Sequence, residues 1–275
     1  MPHPATRDVS RALTWYVARL LAAHRHTLGT RRNSRALTCY RQATLGLYWF
    51  RHTRTDITAL GHKHGVSRAT AYRYIDEVIT VLATQAPGIH DALDHARARN
   101  LPYLMLDGKV FPTDRLAEKT LSVKGEPIDL WYAGKARAFG GNIQLLTDPA
   151  GFPLWVSDVE PGSVHDMTIA SDQALPALYT AAAHGMPTLA DSGYDRAGIG
   201  VHTPIKHPSK NHHLDPDNRT RNALLRGLRA QAERGFALLT GRWRTLHHTT
   251  KSPRALGAIV QAALALTHYE HSKNI

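Results

Sequence analysis

One short stretch constrains this chain more than any other: Leu101-Pro102-Tyr103-Leu104-Met105-Leu106-Asp107-Gly108-Lys109-Val110-Phe111. It is apolar nearly throughout, short, and has a proline at its start. It therefore reads as a strand buried on both faces rather than an amphipathic helix. A single carboxylate interrupts it. An ionised Asp in such a strand is costly unless it meets a cation or a matched donor. Asp107 is then either a strand-end residue capping a turn or a metal ligand. The choice depends on whether the rest of the chain supplies further ligands.

A second stretch repeats the pattern. Thr188-Leu189-Ala190-Asp191-Ser192-Gly193-Tyr194 is again a short apolar strand ending on Asp and followed by small residues. Two parallel strands that each end on an Asp can put both carboxylates beside one cation. Between them, the segments at 131–135, 142–147 and 153–157 read as strands, with 148–151 as the turn of a hairpin beside the first strand. Pro161-Gly162-Ser163-Val164-His165-Asp166 opens a helix reaching about Thr180, and Ser163 with Asp166 has capping-box spacing. That spacing explains both residues structurally; the alternative puts Asp166 close to a metal site.

Residues 202–222 are polar, cationic and proline-interrupted, and read as a loop over phosphates. Asn222 to Thr240 reads as one helix on which Arg226, Arg229 and Glu233 share a face. Alone, Glu233 among arginines is as readily a surface ion pair as a ligand. The last helix, 253–271, is apolar and is expected to pack on the sheet.

Charge points to the partner. The 275-residue chain carries 34 Lys and Arg against 22 Asp and Glu, a net of +12. Residues 1–54 hold ten Arg and one acid, and residues 191–254 hold twelve cations and five acids. Clustered cations gain by releasing counterions from an anionic polymer, so nucleic acid is the expected ligand. Cys39 is the sole cysteine, which excludes internal disulfides and a cysteine zinc centre and fits a reducing cytosol. No run is long enough to span a membrane, and no signal-peptide core stands at the start.

In the N-terminal third, residues 8–28 and roughly 36–51 read as helices. Residues 55–83 read as two more. Thr55 or Asp56 caps the first, Gly65 supplies the turn, and Ser67 caps the second, with Tyr72, Ile75, Ile79 and Leu82 as its apolar stripe. A short helix, a glycine turn and an Ala-rich second helix form a helix-turn-helix pattern, whose second helix would present Arg68, Thr70 and Arg73 to DNA. The plainer alternative is an ordinary helical hairpin. Residues 84–100 read as a linker with a short polar helix.

Taken in order, Leu106-Asp107-Gly108, the run from Tyr132-Ala133-Gly134-Lys135 through Pro161-Gly162-Ser163-Val164-His165-Asp166, Leu189-Ala190-Asp191-Ser192-Gly193-Tyr194 and the Glu233 helix resemble the DDE transposases of bacterial insertion sequences. The resemblance is closest to the endonuclease-like branch that includes the Harbinger elements, and it covers about residues 100–270. It implies an α/β catalytic domain with an RNase H-like mixed sheet and flanking helices, preceded by an all-α helix-turn-helix domain. It implies Asp107, Asp191 and Glu233 as catalytic metal ligands for two Mg²⁺ ions, with Mn²⁺ as a substitute. Related proteins carry Tyr, Arg and Lys on the Glu helix. Here Arg229 takes the Arg place, Arg226 stands at the Tyr place and Thr240 at the Lys place, with Arg242 as a candidate substitute.

The expected organisation is basic helices over 1–54, a helix-turn-helix region and linker over 55–99, and the catalytic domain over 100–275. The expected function is Mg²⁺-dependent hydrolysis and strand transfer at the ends of a mobile element. Lys206, Arg219 and Arg229 would join Arg68, Thr70 and Arg73 in holding DNA. The partners would be terminal inverted repeats and target DNA, with the chain a homo-oligomer on DNA in the bacterial cytoplasm, at the nucleoid when bound. Two alternatives stand beside this: an endonuclease of the same fold without strand transfer, and a DNA-binding regulator with an inactive catalytic domain.

Overall fold

The computed structural model of the chain describes residues 9–122, 124–206 and 213–272. The expected phosphate loop lies partly outside them, at 207–212. In chain order the helices are α1 (Arg11–Thr27), α2 (Cys39–Arg51), α3 (Ile57–His64), α4 (Arg68–Ala83) and α5 (Ile89–Ala98). Strands β1 (Leu104–Pro112), β2 (Lys119–Leu121), β3 (Pro127–Asp129), β4 (Tyr132–Ala133), β5 (Ala138–Thr147), β6 (Pro153–Val156) and β7 (Glu160–Pro161) follow. Then come α6 (Asp166–Gln173), α7 (Leu175–Ala183), β8 (Thr188–Leu189), β9 (Val201–His202), α8 (Pro216–Arg229), α9 (Ala232–Arg242) and α10 (Leu256–His271).

The chain divides into two compact units. The first comprises residues 1–86, 112–114 and 239–275, and the second comprises 87–111 and 115–238. Residues 239–275, assigned by sequence to the catalytic domain, thus group with the N-terminal helices.

In the first unit, each of the first four helices starts at a residue suited to it. Ser10, Thr38, Asp56 and Ser67 all accept a backbone N–H of the first turn through their side-chain oxygens. Gly65 ends α3 in the left-handed region at φ 73°, where a Cβ would be strained. The helices bury Leu13, Leu21, Leu45, Phe50, Ile75, Val78 and Leu82. Each such leucine contributes about 1.5–3 kcal/mol relative to an exposed one. The stripe on α4 runs through Ala71, Tyr74, Ile75, Val78, Ile79 and Leu82, while Tyr72 is only half-buried. Tyr72 sits instead between cations, with Arg68 and Lys251 over its ring at 5.7 and 5.3 Å from the centroid. The apolar helix α10 packs on α4 rather than on the sheet.

In the second unit a mixed sheet runs β4-β5-β1-β8-β9, with β6 and β7 also paired to β5, and β2–β3 form a separate antiparallel pair. β1, β8 and β9 are parallel, while β4, β6 and β7 are antiparallel to β5. Helices cover both faces. Leu104 and Leu106 face Leu93, Ala170, Leu175 and Leu178 of α5, α6 and α7, whereas Met105 and Leu189 face Leu225 and Ala232 of α8 and α9. This is the mixed α/β sheet with flanking helices that the sequence led us to expect. α5, read as part of a linker, is a core helix burying Ala92, Leu93 and Ala96. The expected 222–240 helix is broken at Ala230 and Gln231, so Arg229 ends one helix and Glu233 begins another.

Candidate functional site

The parallel pairing of β1 and β8 matches Leu104 with Thr188 and Met105 with Leu189. The same register carried two residues on brings Asp107 level with Asp191. Side chains alternate along a strand, so the Asp107 carboxylate leaves the face that Met105 buries against α8 and α9, and the Asp191 charge acts on it. Backbone amides one and two residues on hold the two carboxylates. Gly108 N–H donates to Asp107 Oδ1 at 3.0 Å, and Gly193 N–H donates to Asp191 Oδ1 at 2.7 Å, where Asp191 caps a 3-10 turn.

The electrostatics are those of an under-compensated acidic site. Burial pushes the Asp107 carboxyl above the usual carboxylate range; the Gly108 N–H and the Arg229 charge oppose this, and Asp191 and Asp166 add to it. Lys109 is pushed down, chiefly by burial, against the pull of Asp107 and Glu233. Two neighbouring carboxylates, one of them penalised by burial, suit a hard divalent cation, which takes oxygen ligands and offsets desolvation. In this respect the aspartate pair fits a metal. The full triad is not drawn together: among the described residues no group of three or more His, Cys, Asp or Glu is arranged to hold a metal ion. Glu233 is exposed in the first turn of α9, and its charge is felt at Lys109.

The family decides what kind of site this is. The sequence profile of the DDE superfamily endonucleases matches residues 106–268, more than half of the chain. The chain belongs to this family. Among solved structures, that of the Mos1 strand transfer complex gives a TM-score of 0.20 at 12% identity, over 93% of this chain and 98% of that one. That likeness is too slight to place any residue. No curated protein matches the chain.

In this DDE superfamily endonuclease the opposite face of β1 holds a polar layer that strand patterning did not reveal. Gln144 and Asn142 lie on β5, 0% and 3% exposed. Tyr194 donates its hydroxyl to Gln144 Oε1, and Asn142 Nδ2 donates to Asp166 Oδ1 at 2.7 Å. Tyr194 is held protonated by burial first, then by Asp166, Asp107 and Asp191, with Arg229 opposing. A Cβ on Gly108 would lie 2.5 Å from Asp166 Oδ1 and 2.8 Å from Gln144 Nε2, so a methyl there would have to displace one of these side chains or β1 itself. The sequence signal for this layer was two amides in an otherwise apolar strand.

Asp166 is not the partner of Ser163 in a capping box. His165 is the N-cap of α6 and accepts Met167 N–H through Nδ1 at 3.2 Å, while Asp166, the first helical residue, turns to Asn142 and lies 3.7 Å from Lys135 Nζ. Of the cations expected on DNA, Lys206 is paired with Asp195 at 3.1 Å, Arg219 is exposed on α8, and half-buried Arg229 acts on Asp107. Arg242, the candidate for the missing Lys, forms a two-pronged pair with Glu270 and lies over the Trp243 ring. On α4, Arg68 and Arg73 are exposed, and Thr70 accepts a hydrogen bond from Ser67 at 3.0 Å.

Proposed function

We propose that the chain is a DNA transposase of an insertion sequence: it binds the element's ends, cuts phosphodiester bonds there and joins the freed 3′ ends to new DNA. The β1–β8 register, carried on to Asp107 and Asp191, supports this reading, because it would set two hard-oxygen donors side by side, one of them, Asp107, penalised by burial. Asp107, Asp191 and, from α9, Glu233 would hold two Mg²⁺ ions, with Mn²⁺ as a substitute. Such ions, when bound, stabilise charge on the attacking and leaving oxygens of an in-line displacement.

The chain's own residues do the rest. The polar layer of Gln144, Tyr194, Asn142 and Asp166 packs against β1 at Gly108, directly after Asp107. Arg229 and Lys109 bring positive charge to the acids, toward which a phosphate would be drawn. No side chain has to become a covalent nucleophile; water attacks in hydrolysis and a DNA 3′-hydroxyl in strand transfer. We assign duplex binding to α3–α4 as a helix-turn-helix, through Arg68, Thr70 and Arg73, assisted by the basic residues of 1–54 and by Lys206, Arg219 and Arg229. Acting on two ends calls for a homo-oligomer on DNA. Among the described residues no helix is long and apolar enough to cross a membrane.

The test is a labelled duplex carrying the element's terminal repeat, incubated with Mg²⁺ or Mn²⁺. Nicking at the repeat boundary followed by joined products supports transposition. Nicking without joining makes the chain an endonuclease only, and binding without nicking by the unaltered chain makes it a regulator.

A further inference from the structure

Trp15 stands apart from the other tryptophans of the chain. Trp49, Trp131, Trp155 and Trp243 are each 7% exposed or less, whereas Trp15 is 49% exposed. It lies on α1, in the first unit, away from the arc of Leu13, Val17 and Leu21 that enters the core. We propose that Trp15 and the arginines beside it bind a DNA strand at an unpaired nucleotide, whose base stacks on the indole. The inference rests on the reading of the chain as an enzyme that acts on DNA.

Three observations carry it. Helical spacing puts Arg11 and Arg19 one turn before and one turn after Trp15 on the same face, and both are exposed. A strand laid along α1 would thus meet a cation on either side of the stacked base. Secondly, these charges are not neutralised within the fold. Among the described residues neither arginine forms an ion pair. Residues 9–54 hold nine Arg and no Asp or Glu, so a polyanion meets no opposing charge from this segment. Finally, the ring of Tyr40, on α2, lies 4.8 Å from that of Trp15 between centroids and is tilted at 50° to it. Tyr40 braces the indole and still leaves about half of Trp15 open to solvent. Cations for the backbone and an open aromatic face for a base are what sequence-tolerant single-strand sites combine. Bases inside a duplex are paired and stacked on one another, so the ring is matched to an unpaired one.

The test uses the full chain without divalent cations, so that no cutting occurs, and one salt concentration throughout, since phosphate contacts weaken steeply with salt. Anisotropy follows a labelled deoxypentanucleotide and an abasic pentamer of the same charge. Tryptophan emission is recorded with both pentamers unlabelled and with a relaxed duplex circle, which has no unpaired end. The pentanucleotide should quench the emission, and the abasic pentamer and the circle should not. Trp15→Ala should weaken the pentanucleotide by about tenfold, the scale of one lost base–aromatic stack, and leave the abasic pentamer within about twofold. Trp15→Phe should keep most of the binding but lose the quench, because the four remaining tryptophans are buried. Replacing Arg11 and Arg19 together by Gln should weaken both pentamers alike. Quenching that persists in Trp15→Phe overturns the proposal, and so does equal quenching of wild type by the circle. Equal affinity of wild type for the two pentamers overturns it as well. Nicking of duplex with Mg²⁺ is scored separately. A chain that cuts but ignores the unpaired base loses only the Trp15 assignment, and one that stacks the base but never cuts loses only the cleavage reading.

Discussion

Asp166 and Gly108 meet so closely that a methyl group at Gly108 would lie 2.5 Å from the Asp166 carboxylate oxygen. Asp166 is fixed at the start of α6 and hydrogen-bonded to Asn142, so it cannot retreat without breaking that bond. Gly108→Ala should therefore shift β1 next to Asp107. We expect about 1–3 kcal/mol of lost stability, typical of overpacking, with nicking reduced far more than duplex binding. Urea unfolding and nicking assays on the same preparation check this. An alanine variant that cuts at the wild-type rate would show that β1 has slack here.

Asp107 and Asp191 repel each other across the strand pair, and Asp107 is penalised by burial. Removing that charge should relieve the fold when no metal is present, so Asp107→Asn should melt higher than wild type in chelator. Wild type should then gain on adding Mg²⁺, by about 2.7 kcal/mol at a hundred times the dissociation constant. The variant should gain much less. Differential scanning fluorimetry across a Mg²⁺ series reads both effects, and equal Mg²⁺ responses of the two chains would argue against Asp107 as a ligand.

His64, on α3, is 9% exposed, and its pKa is lowered, first by burial and then by Arg41 and Lys63. The folded chain therefore refuses a proton that the unfolded chain accepts near the ordinary value of 6.5. The neutral ring supports the fold above that pH, and this contribution is lost as pH falls below it toward the folded-state value. His64→Gln should flatten that part of the profile, whatever its effect on absolute stability. Urea midpoints for both chains from about pH 8 to about pH 5 give the comparison, and parallel profiles would mean that His64 titrates freely.

Arg73 is exposed on α4, opposite the buried Ile75 and Ile79. If α4 enters a major groove, Arg73→Ala should weaken binding to terminal repeats by about 1–3 kcal/mol more than binding to random duplex. Equal losses on both DNAs would reduce Arg73 to a phosphate contact. Unchanged binding to both would remove the helix-turn-helix assignment.

The paired aspartates were legible in sequence because each closes an apolar run, where a charge stands out and needs an explanation. The helix starts were legible for a similar local reason, since Ser67 or Asp56 satisfies backbone donors within its own turn. The break at Ala230 and Gln231 was not, because the residues around it are good helix formers and nothing there demands a stop. The partner of α10 was equally hidden: an apolar helix can pack on a sheet or on another helix, and only the complementary surface, here α4, decides. Asn142 and Gln144 carried the same kind of signal as Asp107, a polar group in an apolar strand, but as neutral amides they stood out less.

Glu233 is the member of the expected triad whose place is least like a ligand's, exposed at the first turn of α9 with its charge registered at Lys109. Two outcomes separate its possible roles. As a helix-start carboxylate it gains only from the helix dipole and a surface cation, so Glu233→Gln would cost about 1 kcal/mol or less and leave cutting intact. As the third ligand, engaged when DNA and Mg²⁺ are present, it would be dispensable for folding and duplex binding yet essential for nicking. We expect the second result, with Asp107→Asn and Asp191→Asn equally inactive and the double variants no worse than the singles, because ligands of one site act as a unit. The assay is nicking of a labelled terminal-repeat duplex with Mg²⁺ or Mn²⁺, with Asp166→Asn run alongside. If Glu233→Gln cuts at the wild-type rate while Asp166→Asn does not, the third acid of this site is Asp166, whose charge already reaches Asp107.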